Sequence, residues 1–321
     1  MNETISDIFN NAFSNAISDF RAQGLSESEI VERLSQQTIT DAMQKLIDKA
    51  SADTLTYLTD RIFEIEHQRI IENNRFLAHH NAIWSECFAV SEAMYVIALE
   101  AAEDYSGYVS KNIFDDDKKQ KQYTFIVLQY IHGRCCQEFL EILHLMRLGF
   151  ADCAYARWRS MFELCCTASF ILMQGETIAK QYFEHSQEEG KDYAWTAGAV
   201  NREGKEIIIK SFHALMDHSG VEQAWQKQYK MACLIVHGTP QGTFKRLCLK
   251  DEKQMIVVGQ SDYGITTPAE HSAISLQWIT SMFLSIFPNL DAIVHIKVLQ
   301  NWVEEVRKRY FATEQECFTD C

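Results

Sequence analysis

The chain has 321 residues, nearly half of them apolar, enough to bury the core of one large or two ordinary domains. A formal net charge of −14 opposes any polyanion, which excludes nucleic-acid binding except through a local basic patch. Three prolines and thirteen glycines, against abundant Ala, Leu, Glu, Gln, Met and Phe, predict an all-α fold, a multi-helix array or bundle.

Ten cysteines include the adjacent pairs Cys135-Cys136 and Cys165-Cys166, with no Cys-x-x-Cys spacing. Neighbours on a helix point about 100° apart, so these read as small apolar residues in a reducing compartment rather than a disulfide or zinc framework. Met1-Asn2-Glu3-Thr4 lacks the basic and apolar regions of a leader, and no window is expected to be apolar across a bilayer's thickness. A cytoplasmic protein without membrane contact is expected.

From Thr4 to Lys49 the pattern is amphipathic, with Ile5, Ile8, Phe9, Phe13 and Ile17 at helical spacing. Ser26 and Glu29 form a capping box for a second helix, flanked by a Leu25 and Ile30 staple. A long helical stretch runs from Ser51 past His80 to Phe88, with a break predicted around His79-His80-Asn81. Residues 1–80 are therefore expected to form a helical extension for association or regulation, and residues 81–321 the helical core. The expected partner of the extension is a second copy or another protein, read from its amphipathic faces. Asp115-Asp116-Asp117 followed by Lys118-Lys119 marks a solvated loop.

A helix from Lys119 to Leu148 then closes at Gly149 in the C′ position, and a second runs to Gln174-Gly175. The two predict an antiparallel hairpin that sets Glu141 level with Arg157 and Glu138 level with Ser160. On the second helix Asp152, Ala156, Arg159 and Glu163 share one stripe, surrounded by Trp158, Met161, Phe162, Cys165 and Phe170. The arc of Arg134, Glu138 and Glu141 is expected to face Arg159 and Glu163. A shorter helix carries Tyr182, Phe183 and His185, and the polar stretch Gln187 to Gly204 reads as an exposed excursion. The helix from about Val221 carries Trp225, Tyr229 and Cys233 and stops at His237-Gly238-Thr239-Pro240. A small β-hairpin insertion is predicted near 243–258, around Lys250-Asp251-Glu252-Lys253. Thr267 is expected to cap a helix reaching about Phe287, and a last helix spans Pro288 to Arg309.

The segment Gly149 to Asp152 with Ala156 to Glu163, followed by Tyr229 and Val236-His237-Gly238, resembles an uncharacterised bacterial family, domain of unknown function 5677, over residues about 81–300. The resemblance implies that Arg159, Glu163 and His237 are recurrent polar positions. It also implies kinship with helical proteins found beside bacterial anti-phage systems, a setting without an established reaction.

Arg159, Glu163 and His237 are thus the candidate catalytic residues, with His237 at a helix end as the general acid or base. Asp152, Arg157, Glu138, Glu141 and Tyr229 are candidate binding residues. The bland alternative is a structural ion-pair network that holds the helices in register. Glu64 with His67 and Glu141 with His144 have the spacing of di-iron bundles, but the remaining ligands lack a signature, and no metal or cofactor is expected. Arg61 with His67 and Arg75 with His80 match the loose arginine–histidine spacing that resembles HEPN-type ribonucleases. Three functions follow: a defence effector or interaction component that cleaves RNA or phosphodiesters, a noncatalytic oligomeric scaffold, and a di-metal carboxylate protein.

Overall fold

The computed structural model describes residues 5–34, 36–113, 120–187, 193–249 and 257–318, and among these described residues there are twelve α-helices. Among the described residues there is no sheet, only an isolated bridge between Val200 and Glu206. The chain divides into a unit of residues 1–74 and a unit of residues 75–321.

The first unit holds α1 (Ile5–Ala22), α2 (Glu27–Arg33), α3 (Gln36–Asp60) and the start of α4 (Ile62–Asn112). α2 begins with the expected capping box: Ser26 Oγ accepts the Glu29 N–H at 3.4 Å and the Glu29 carboxylate accepts the Ser26 N–H at 2.8 Å. The break expected at His79-His80 is absent. α3 and α4 part instead at Arg61, whose N–H bonds Leu58 O at 3.2 Å, a tightened step of three residues. α4 has no proline and no glycine before Gly107, so nothing interrupts its ladder at the histidines. α4 corrects a second expectation: it contains an 18-residue window of mean hydropathy 1.4, long and apolar enough to cross a membrane, and a third of that window is buried within the protein.

The second unit continues with α5 (Gln122–Arg147), α6 (Ala151–Gln174), α7 (Glu176–His185), a 3-10 turn (Ala194–Thr196), α8 (Phe212–His218), α9 (Gln223–Val236), α10 (Pro240–Phe244), α11 (Thr266–Leu284) and α12 (Leu290–Phe318). α5, α6 and α11 pack on one another at its centre, where Phe139, Ile142, Trp158, Phe162, Phe170 and Phe283 are buried. Each buried side chain of this size contributes roughly 1.5–3 kcal/mol of transfer free energy. The later part of α4 is tied to α12. Trp84 stacks on Tyr310 at 5.8 Å, Ser91 Oγ lies 2.9 Å from the Tyr310 hydroxyl, and the Trp302 indole donates to Val90 O at 2.9 Å.

The α5–α6 turn is set by Gly149. Its φ of +75° lets its own N–H bond Met146 O and the Phe150 N–H bond Leu145 O, both at 2.9 Å, which is the Schellman pattern. A Cβ there would lie 2.6 Å from the Phe76 ring and 3.0 Å from Ser261 O, so the close approach as well as the φ requires glycine. At the other end of α5, Lys121 offers no side-chain cap, and Glu176 from α7 takes that part. Its carboxylate accepts the N–H groups of Tyr123 at 2.7 Å and Thr124 at 3.0 Å, and the Thr124 hydroxyl at 2.7 Å.

Among the described residues of 243–258 no strand of the expected β-hairpin forms, and 250–256 lie outside them. Thr239 Oγ1 accepts the Gly242 N–H at 3.0 Å and Pro240 sits in the first turn, so the segment closes as the short helix α10. Lys245 to Leu249 is turn and irregular chain, and the expected turn at Lys250-Asp251-Glu252-Lys253 lies outside the described residues. The Asp115 to Lys119 loop also lies outside them. α11 starts at Thr266 instead of after Thr267, without a side-chain cap, and accommodates Pro268 in its first turn, where a proline's missing N–H has no helical partner.

Candidate functional site

The hairpin register places the first group of predicted residues as expected. Arg157 on α6 reaches Glu141 on α5 through Nε and Glu138 through Nη2, the latter at 3.3 Å. Glu138 is fully buried, and its Oε1 also receives Arg134 Nε at 3.1 Å and the Ser160 hydroxyl at 3.2 Å. Its other oxygen, Oε2, is buried without a partner. Three donors on one oxygen compensate the buried carboxylate and lock α5 to α6.

The expectation that this arc faces Arg159 and Glu163 is corrected: Arg157 and Ser160 lie one step round the helix and take that place. Arg159 and Glu163 look toward α9. They pair at 3.4 Å, about a third exposed each, and the Tyr229 hydroxyl donates to Glu163 Oε1 at 2.8 Å. Burial works against the Arg159 charge, but Glu163, Tyr229 and a hydrogen bond to Cys233 together hold its pKa above the usual value. Burial, then the bond to Glu163, pushes the Tyr229 hydroxyl up as well. A tyrosine kept protonated on a carboxylate is a donor, not a nucleophile.

His237 is not part of this cluster's bonding. It is the exposed C-cap of α9, its backbone N–H bonds Cys233 O at 3.1 Å, and its side chain has no hydrogen bond or ion pair among the described residues. Asp152, on the same predicted stripe, serves a third neighbour. In the first turn of α6 and nearly buried, it accepts the Leu247 N–H at 2.8 Å and Arg246 Nε at 3.2 Å, anchoring the chain after α10.

The other sequence pairs resolve in different ways. His80 is fully buried, with Nδ1 2.6 Å from Asp262 Oδ1 and Nε2 2.8 Å from Met146 O. Both ring nitrogens face acceptors, so the ring is engaged on both sides and is not open to a phosphate. Arg61 is held by Glu64 and Tyr57. His144 Nδ1 donates to Leu140 O at 2.8 Å. Among the described residues no group of three His, Cys, Asp or Glu is gathered to hold a metal ion. The paired cysteines are buried and free. Burial pushes the Cys135 and Cys165 thiols well above their usual range and those of Cys136 and Cys166 up to about 12, which keeps them protonated.

Sequence reading did not find a pocket of about 330 Å³ between α9, α11 and α12, lined by Trp225, Gln228, Glu270, His271, Ile274 and Arg307. Its only local signal is a histidine inside the apolar run of α11, which by itself reads as core.

Residues 125–206, from within α5 to the segment after the 3-10 turn, match the model of a family of unknown function, DUF5677. No curated protein and no solved structure matches the chain. The matched stretch contains Glu138, Glu141, Asp152, Arg157, Arg159 and Glu163 but neither Tyr229 nor His237, so the resemblance to domain of unknown function 5677 holds over the α5–α7 block.

Proposed function

We propose that the chain is a cytoplasmic interaction component, a helical scaffold that self-associates through its N-terminal helices. One observation carries this reading: Leu55, Leu58, Ile62 and Ile65 follow at steps of three, four and three, and each is at least 45% exposed. That spacing is the one of a coiled-coil seam, carried from the end of α3 across the Arg61 step into the start of α4, and an exposed apolar seam in water calls for a partner. The resemblance to proteins that accompany anti-phage systems makes a defence assembly the setting of such a scaffold. Under this reading the α5–α6 network and the Arg159–Glu163–Tyr229 tie hold helices in place. An RNA-cleaving role would need an arginine and a histidine free to meet one phosphate, whereas Arg61 and His80 are both engaged elsewhere.

Light scattering on the full chain, at concentrations of about 1 to 100 µM, tests the proposal. The wild type is expected as an oligomer, and Leu58→Glu with Ile62→Glu as a monomer of unchanged helicity. A monomeric wild type, or an oligomer indifferent to both substitutions, refutes it.

A further inference from the structure

The pocket between α9, α11 and α12 has the makings of a ligand site. His271, the residue deepest in it, is almost completely buried. Its Nδ1 lies 2.8 Å from Thr267 O, a pure acceptor, so Nδ1 carries the proton. Nε2 is then a lone pair, and it is buried without any hydrogen-bond partner. Burial lowers the His271 pKa to about 4, so near neutral pH the ring stays uncharged and waits for a donor.

The remaining lining sharpens the requirement. Among the pocket's lining side chains the Glu270 carboxylate, 2.8 Å from Arg307 Nε, balances the Arg307 charge, which also pairs with Glu304, while Arg307 Nε itself makes no hydrogen bond; this balance favours an uncharged guest over a phosphate or an ammonium. The Tyr155 hydroxyl lies 3.0 Å from Gln228 O and 3.2 Å from its Oε1, and the Gln228 amide nitrogen makes no hydrogen bond among the described residues. Trp225 stands at 78° to the His271 ring and at 75° to Trp278, an indole fixed by its neighbours and partly open at the pocket. Fixed aromatic faces of this kind bind planar rings by stacking. A volume of about 330 Å³ falls at the lower end of small-molecule sites.

We infer that this pocket binds a nucleobase: an uncharged planar nitrogen heterocycle that stacks on Trp225, donates an N–H to His271 Nε2 and accepts from the Gln228 amide. A free nucleoside and an RNA end both present such a base, and the net charge of −14 favours the former.

Calorimetric titration of the full chain with adenosine, N6,N6-dimethyladenosine and a short oligoadenylate tests this. Adenosine is expected to bind once per chain. Removing its N6 N–H donors by dimethylation should weaken it about tenfold or more, as should Gln228→Ala at an exposed position. Ile274→Trp, which fills the pocket, should abolish binding while the melting transition is kept. Oligoadenylate that binds as well as adenosine, and is lost in Ile274→Trp, supports the same site with an RNA end as its source. Absence of saturable binding by adenosine, guanosine, cytidine and uridine at about 10 mM overturns the inference, since that limit lies beyond any useful affinity. So does adenosine binding that is indifferent to dimethylation and to both substitutions.

Discussion

Two buried histidines make the second unit labile to acid in a way that can be worked through. His132 on α5 donates through Nε2 to Thr280 Oγ1 at 3.1 Å, since that hydroxyl spends its own proton on Leu276 O, and stacks on Phe283. His271 on α11 is enclosed by Tyr155, Trp158 and Trp225. Burial lowers both from 6.5 to about 4. Between those values the unfolded chain binds a proton that the folded chain refuses, so stability present above pH 6.5 is lost as the pH falls toward 4. From pH 7 to pH 4.5 the loss integrates to about 2.4 kcal/mol for each histidine. Urea unfolding at several pH values, followed by near-UV circular dichroism, would compare the wild type with His132→Gln and His271→Gln. Glutamine does not titrate, and in place of His132 it keeps an N–H donor for Thr280. Each variant should be less stable at pH 7 yet flatter in acid, so that the wild-type and variant curves converge by about 2 kcal/mol at pH 4.5. Parallel curves would show that neither ring is held neutral by burial and would refute the reasoning.

Glycine substitutions offer a contrast within the α5–α6 hairpin. Gly149→Ala should cost about 2–4 kcal/mol, because its φ of +75° and the 2.6 Å approach of the Phe76 ring both oppose a Cβ. Gly133→Ala, at an α5 position with open space, should stabilise by about 0.5–1 kcal/mol in the same thermal unfolding assay. In the ion network, Glu138→Ala should cost about 2–4 kcal/mol by urea unfolding, against less than about 1 kcal/mol for the more exposed Glu141→Ala. Glu176→Ala removes the borrowed cap of α5 and should cost about 1–2 kcal/mol, with faster amide exchange at Tyr123 and Thr124 as its local signature.

What could be read from the sequence was set by interactions over a few residues. The Ser26–Glu29 box, the Gly149 stop and the helical periods of α5, α6 and α9 all arise within a turn or two of chain, where residue identity and backbone geometry are directly linked. The contacts of Arg157 with Glu141 and of Ser160 with Glu138 were also legible, because a tight turn of known length fixes which residues lie level on its two arms. The direction in which Arg159 and Glu163 look was not legible, since it depends on where α9 docks. The same limit applies to His80 with Asp262, 182 positions apart, and to Glu176 capping a helix that begins more than 50 residues earlier. Local pattern also misled at two places: a pair of histidines suggested a break that an uninterrupted backbone ladder did not need, and β-rich composition after Thr239 yielded to its cap and to Pro240. The pocket around His271 belongs wholly to tertiary structure. Its walls come from three helices whose distances no spacing records, and the unpaired nitrogen that marks it as a site exists only once those helices have closed around the ring.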